Sequence, residues 1–194
     1  EQDIPGWRVP AGDVALAYDL PGDLLSRLEF TLPRDADYVG NYRLRSRVAG
    51  GYPAKGDLQG VYNLLWQSHY AADFLAPARW PDGLDDYKAV ILAGFPIVDA
   101  ARARVLTEYV ANGGFLIVDA GFGRRRDNTM LYGVRPGAGL AETFGFREKR
   151  CCQLNDKVWQ LEVDGVTNLS AHFERVEYEA APGTEVRSEE RRVG

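Results

Sequence analysis

The chain has 194 residues, of which 45% are hydrophobic and 11% aromatic, so it is long enough to bury the core of one α/β domain and part of a second element. Its formal net charge is −5, which gives no reason to expect nucleic acid or an anionic membrane as a partner. No apolar run approaches the roughly 20 residues of a membrane-spanning helix. The first residues lack a signal-peptide pattern. They also lack an initiator methionine, from which we expect that the chain begins inside a longer protein.

The first third of the chain contains few regular patterns. A short apolar run at 13–19 predicts the first strand, whereas proline and glycine punctuate the segment 20–56, for which we predict no regular element. Asp57 then predicts a helix N-cap, because apolar residues follow it at helical spacing: Leu58, Val61, Tyr62 and Leu65. The stretch "ADFLAP" predicts a second short strand.

The pattern is clearest in the middle of the chain. "YKAVILAG" is a continuous apolar run, typical of a strand that is buried on both faces. Asp99 predicts the N-cap of a helix that ends at Asn112-Gly113 and has an inward face formed by Val105, Leu106, Tyr109 and Val110. "FLIVDA" predicts a fourth, buried strand, and 137–144 predicts a short helix after a glycine-rich loop.

The pattern changes to period two from Gln153 onward. Strands that alternate with helices before this point indicate βαβ units and a mostly parallel sheet. "KVWQLEV" and "FERVEYEAA" instead predict antiparallel strands of a β-rich element that is cut short near Val186. The residues 187–194 are highly charged and resemble translated adapter sequence, so we interpret them as a non-native tail.

The turn at 121–123, Gly-Phe-Gly, lies where doubly wound enzymes place a reactive serine or cysteine, and it contains neither. Cys151 and Cys152 come after the last helix of the unit, and neither His69 nor His172 has a serine or cysteine partner in the pattern. Adjacent cysteines rarely form an ordinary disulfide, so we expect free thiols and a reducing, cytoplasmic compartment. We therefore predict no catalytic residue.

Charged clusters give no stronger sign of a reaction. The acidic pairs at 85–86 and 189–190 suit solvated turns, because glycosidase chemistry needs two carboxyl groups held apart across a cleft. No spacing typical of metal ligands or of a complete phosphate-binding loop occurs, so we expect no metal and no cofactor. Three consecutive arginines follow the turn: Arg124, Arg125 and Arg126. Their planar guanidinium groups are suited to bind an anion. The alternatives are that they pair with acidic residues of a neighbouring subunit or lie in solvent.

Several short motifs follow one another in a fixed order between Val61 and Gly145. They are "D-F-L" at 73–75, the strand entry "Y-K-x-V" at 87–90, the helix end "Y-V-x-x-G-G" at 109–114, an Asp-Asn pair at 127–128, and "P-G-x-x-L" followed by glycine at 136–145. In their order and spacing these stretches resemble the trimerisation domain of glycoside hydrolase family 42 β-galactosidases.

This resemblance implies a flavodoxin-like fold, related to that of class I glutamine amidotransferases but without their catalytic cysteine. It implies a mostly parallel sheet with helices on both faces over residues 1–150, with the best match at 57–146. The start of a truncated β-rich domain would follow at 151–186.

The resemblance also implies a function. The chain would be a non-catalytic oligomerisation domain of a β-galactosidase-like enzyme of carbohydrate metabolism, acting in a homotrimer. An upstream catalytic barrel of about 250 residues would lie outside these 194 residues. Two alternatives remain open, an amidotransferase-like hydrolase and an α/β module that binds an anion or a sugar.

A threefold ring brings together two different surfaces of each subunit. The predicted interface includes the loops around three aromatic residues, Trp80, Phe95 and Phe122, with the arginine run pairing across it.

Overall fold

The computed structural model describes residues 12–31, 53–76, 83–153, 159–163, 166–171 and 174–185. The chain divides into two compact units, of which the first comprises 1–94 and 108–119 and the second comprises 95–107 and 120–194. The change of domain predicted at residue 150 falls inside the second unit and stays a prediction.

The first unit contains a four-stranded parallel sheet. Its strands are β1 (Val14–Ala17), β2 (Ala72–Leu75), β3 (Ala89–Leu92) and β4 (Phe115–Val118), in the order β2-β1-β3-β4. Helices α1 (Leu20–Thr31) and α2 (Pro53–Gln67) lie between β1 and β2 in the chain, and α3 (Ala100–Ala111) lies between β3 and β4. This strand order is that of flavodoxin-like folds, so the predicted mostly parallel α/β fold is confirmed.

The two central strands carry the core of this sheet. Leu16 of β1 and Val90 and Leu92 of β3 are each 0% exposed, as predicted for a strand that is covered on both faces. Strand β4 differs from its prediction, because Phe115 and Ile117 are 66% and 43% exposed. It is the edge strand of the sheet that the described residues form, and an apolar run alone does not distinguish an edge strand from a central one.

Helix α1 occupies a segment for which the sequence predicted no regular element. Asp19 begins the helix: its Oδ2 accepts a hydrogen bond from the backbone N–H of Gly22 at 2.8 Å, and its carbonyl accepts one from the N–H of Asp23 at 2.9 Å. Pro21 lies in the first turn, where a missing N–H costs nothing. The proline that suggested a loop therefore marks a helix start.

The start of helix α2 was also predicted wrongly. The helix begins at Pro53, so Asp57 lies inside it and is not the N-cap. The apolar stripe that follows Asp57 in the sequence is helical as predicted. Its spacing indicates a helix but does not indicate the residue at which the helix begins.

Helix α3 is capped as the sequence predicted. The backbone N–H of Arg102 donates to Asp99 Oδ1 at 2.7 Å, and Gly113 has a φ of 94° just past the last turn. Tyr109 is 3% exposed, and its hydroxyl donates to the carbonyl oxygen of Tyr87 at 3.0 Å. A side chain on Gly114 would collide with the ring of Tyr109, so glycine is required there.

We expect Asp99→Ala to lower the melting temperature by about 2–4 °C, because the loss of an N-cap costs about 1 kcal/mol of unfolding free energy. Thermal unfolding followed by circular dichroism measures this change. The control is Asp86→Ala, which removes an exposed carboxylate from a turn. Equal melting temperatures for the two variants would contradict the capping role.

The second unit is formed around antiparallel strands. Strand β5 (Phe146–Gln153) pairs with β8 (Glu174–Ala180), and β6 (Trp159–Val163) pairs with β7 (Val166–Ala171), which confirms the predicted antiparallel element. The short helix α4 (Leu140–Phe144) precedes β5, close to its predicted position. Within the residues that the structure describes, no helix is both long enough and apolar enough to cross a membrane.

Candidate functional site

The turn at 121–123, which follows β4 in the chain, has a backbone conformation that depends on its two glycines. Gly121 and Gly123 have φ values of 88° and 61°, a region that favours glycine. Phe122 between them is 4% exposed, and its ring meets that of Phe144 edge-on, with the centroids 5.7 Å apart. The central residue of the turn is therefore a buried aromatic ring and not an exposed attacking group.

Arg124 is held inside the second unit by a buried carboxylate. Its Nε donates to Glu148 Oε2 at 2.7 Å, and Nη2 of Arg135 lies 3.4 Å from the other carboxylate oxygen. The Glu148 side chain is 3% exposed, and those of the two arginines are 13% and 26% exposed. The backbone N–H of Glu148 also donates to the carbonyl of Arg135. This buried triad joins three separate parts of the second unit.

The other two arginines of the run have different partners. Arg125 Nη1 donates to the carbonyl oxygen of Thr129 at 2.8 Å, and the guanidinium of Arg126 lies 5.1 Å from the ring centroid of Tyr132. The three arginines therefore do not share one acceptor among the contacts that the structure describes. Their predicted roles, anion binding or pairing across an interface, stay predictions.

The predicted interface aromatics are placed unequally. Phe95 and Phe122 are 1% and 4% exposed, so their side chains are core residues and offer almost no surface in a single chain. Trp80 lies outside the described residues. Exposed apolar side chains occur elsewhere in the second unit, at Met130, Leu131 and Val134, which the sequence reasoning did not single out.

The remaining reactive side chains do not form a site within the described residues. His69 is exposed in a turn with a φ of 59°, and Asp85 and Asp86 are exposed before β3. Cys151 is half-buried on β5 and makes no disulfide with any side chain that the structure describes, while the side chain of His172 lies outside that part. No group of three metal-ligating side chains comes together in the described segments.

The first unit contains a groove at the carboxyl ends of its strands, which we call the α2 groove. Its volume is about 350 Å³, and it is lined by Asp57, Gly60, Val61 and Leu64 of α2 together with Ala93 and Asp119. Asp119 Oδ2 accepts a hydrogen bond from the N–H of Gly94 at 2.5 Å. Although Asp57 is exposed as a residue, burial of its carboxyl group raises its pKa to about 6. The groove is mostly apolar, and two acidic residues, Asp57 and Asp119, are part of its lining.

The raised pKa of Asp57 predicts a pH-dependent cost to folding. The unfolded chain releases this proton near pH 3.8 and the folded chain near pH 6, so stability falls as the pH rises through this window and the full cost is present above it. We expect Asp57→Asn to raise the unfolding free energy at pH 7 by roughly 1 kcal/mol, a figure reduced for solvent screening, and to have little effect at pH 3.5. Urea unfolding at both pH values, with Asp86→Asn as the exposed control, measures this difference. An equal effect at both pH values would contradict it.

This fold is similar to parts of several solved structures. It matches a catalytic mutant of a GH42 β-galactosidase from G. stearothermophilus with a TM-score of 0.70 at 19% identity, over 92% of this chain and 23% of that one. It matches the β-galactosidase of Bacillus circulans sp. alkalophilus with a TM-score of 0.65 at 17% identity, over 88% of this chain and 23% of that one.

A third similar structure is the polyextremophilic β-galactosidase from the Antarctic haloarchaeon Halorubrum lacusprofundi. It gives a TM-score of 0.66 at 16% identity, over 91% of this chain and 23% of that one. The three TM-scores, between 0.65 and 0.70, establish a shared fold. The chain spans about 23% of the length of these three proteins.

No curated protein sequence matches the chain. The family model described as the β-galactosidase trimerisation domain matches residues 14–189, which include most of both units and continue past the boundary predicted at residue 150. Because this match covers most of the chain, from the first residue of β1 to beyond β8, the chain belongs to the β-galactosidase trimerisation domain family.

Proposed function

We propose that this chain is a self-association domain that holds three copies of its parent protein in a ring. The observation that carries the proposal is the family match over residues 14–189. The turn at 121–123 supports a role without chemistry, because Phe122 is buried at the position where an amidotransferase-like enzyme would expose its nucleophile.

The parent protein, we infer, is a β-galactosidase-like glycoside hydrolase. The three solved structures described above are β-galactosidases, and each is about four times as long as the part that this chain matches. The acid and the nucleophile of such an enzyme would lie in a catalytic barrel outside these 194 residues. On this view the chain contributes assembly and not hydrolysis.

Static light scattering on the 194-residue chain, measured over a series of concentrations, tests the assembly role. We expect the mass to rise with concentration from 21.6 kDa toward three times that value. A mass that remains at 21.6 kDa up to about 1 mM, where an interaction of about −4 kcal/mol would be half formed, would contradict the proposal.

A further inference from the structure

One face of the parallel sheet ends in an uncovered apolar strip. Residues at the same register position of neighbouring strands lie on the same face, which places Ile117 beside Ile91 and Ile91 beside Leu16. Leu16 and Ile91 are 0% and 7% exposed, whereas Ile117 and Phe115 are 43% and 66% exposed. Strand β4 contains neither the charges nor the proline that usually protect an edge strand. We therefore expect this strip to be covered in the assembled protein.

The α2 groove is on the same face as this strip. Helix α2 contacts this face at the opposite edge, where the ring of Tyr62 lies 5.4 Å from that of Phe74, a half-exposed residue that shares the register position of Leu16. The two-residue alternation of a strand continues the face from Ile117 to Asp119, which lines the groove. Leu64, on the helix side of the groove, is 64% exposed. The groove is thus a concave, apolar space next to an uncovered strip.

The second unit presents a convex apolar surface of similar character. Met130, Leu131 and Val134 are 65%, 50% and 52% exposed, and we call these three residues the apolar tip. Hydrogen bonds within the loop hold it in shape. The backbone N–H of Arg126 donates to the carbonyl of Met130, and the side-chain Oδ1 of Asn128 accepts from the N–H of Met130 at 3.1 Å. A preformed loop loses little entropy when it binds.

Each surface has one charged side chain that is opposite in sign to that of the other. Asp57 supplies a carboxylate to the α2 groove, whereas the carboxylate of Asp119 is turned inward, with its Oδ1 buried and its Oδ2 bonded to the N–H of Gly94. Beside the apolar tip, the exposed guanidinium of Arg126 is fixed over the ring of Tyr132. The adjacent Asp127 is also exposed and negatively charged, and its Oδ1 accepts the N–H of Asn128 within the turn.

We propose that the apolar tip of one copy of this chain docks into the α2 groove of the next copy, with Arg126 facing Asp57. The inference rests on the proposed self-association, and it names the two surfaces that meet. A ring of identical subunits needs two different surfaces that are complementary in shape and charge, and these two meet that requirement.

Two single variants test the proposal. Leu64→Asp places a charge in the groove and Met130→Asp places one on the tip, and both original side chains are largely exposed, so we expect both variants to keep the melting temperature of the wild type. Each variant should weaken self-association by about tenfold or more in sedimentation velocity. The matched control is Leu24→Asp, which changes a leucine of α1 that is 49% exposed and should leave association unchanged.

Mixing the two variants gives the sharper result. Met130→Asp retains an intact groove and Leu64→Asp retains an intact tip, so an equimolar mixture should form a complex of two chains that neither variant forms alone. A symmetric contact between two copies of one surface would not be restored in this way. Charge exchange gives a second readout, since Arg126→Glu should weaken association and the added change Asp57→Lys should restore it.

The outcomes separate the inference from the proposed function. If the wild type assembles and either Leu64→Asp or Met130→Asp assembles equally well, the surfaces are wrong and the assembly role stands. The inference also fails if the mixture does not form the two-chain complex, if the charge exchange does not restore association, or if Leu24→Asp is as disruptive as Leu64→Asp. A wild-type chain that stays monomeric contradicts the proposed function, and the inference then falls with it.

Discussion

Glu148→Ala is expected to lower the free energy of unfolding by about 3–5 kcal/mol, because the largely buried guanidinium of Arg124 and the partly buried one of Arg135 lose their shared carboxylate. The Glu148 side chain is 3% exposed. Its Oε2 accepts a hydrogen bond from Arg124 Nε at 2.7 Å, and its Oε1 lies 3.4 Å from Arg135 Nη2. Loss of this carboxylate removes the charge that compensates both arginines. Urea unfolding monitored by circular dichroism measures the change.

The chain contains a matched control for this variant. Arg147 donates to Glu179 across β5 and β8 at 3.0 Å, but both side chains are more than half exposed. We expect Glu179→Ala to cost at most about 1 kcal/mol, since water screens an exposed ion pair. Equal losses for Glu148→Ala and Glu179→Ala would show that burial of the triad contributes nothing to the stability of the second unit.

Phe95→Ala is expected to lower the free energy of unfolding by about 3–5 kcal/mol, because Phe95 is 1% exposed and its removal leaves a cavity. This outcome distinguishes a core residue from an interface residue. Urea unfolding at a dilution where the chain is monomeric measures it, with Met130→Ala as the control. Met130 is 65% exposed, so its truncation should change the unfolding free energy by no more than about 0.5 kcal/mol.

The opposite pattern would contradict the core assignment of Phe95. If Phe95→Ala weakened association while leaving the unfolding free energy of the monomer unchanged, the residue would belong to an interface, as its place in an aromatic loop first suggested. An aromatic residue in a loop gives the same sequence signal in both situations, and only its burial separates them.

The local features of this fold could be predicted from the sequence. The N-cap at Asp99 and the helix end at Gly113 are both confirmed. Each of these signals depends only on residues within one helical turn of its own helix end. The central strand β3 could also be predicted from its apolar run, because a strand that is covered on both faces is typically apolar at nearly every position. Helix α1 was missed because Pro21 was interpreted as a turn signal, although proline also suits a first helical turn.

The features that involve distant residues could not be predicted in the same way. Arg124 and Glu148 are 24 residues apart, and no periodicity links an arginine after a turn to a glutamate on a strand. Strand β4 has the composition of a core strand, and its position at the edge follows only from the strand order. The apolar tip was missed for a similar reason, since Met130 and Leu131 lie in a polar loop whose hydrogen bonds make it rigid.

The most direct test of the account is to count the copies in the assembly by native mass spectrometry of the 194-residue chain. We expect a dominant species at three times the chain mass of 21.6 kDa, which dissociates to single chains on dilution. A spectrum that contains only the single chain, or a closed pair at every concentration, would contradict the claim that this domain holds three copies together.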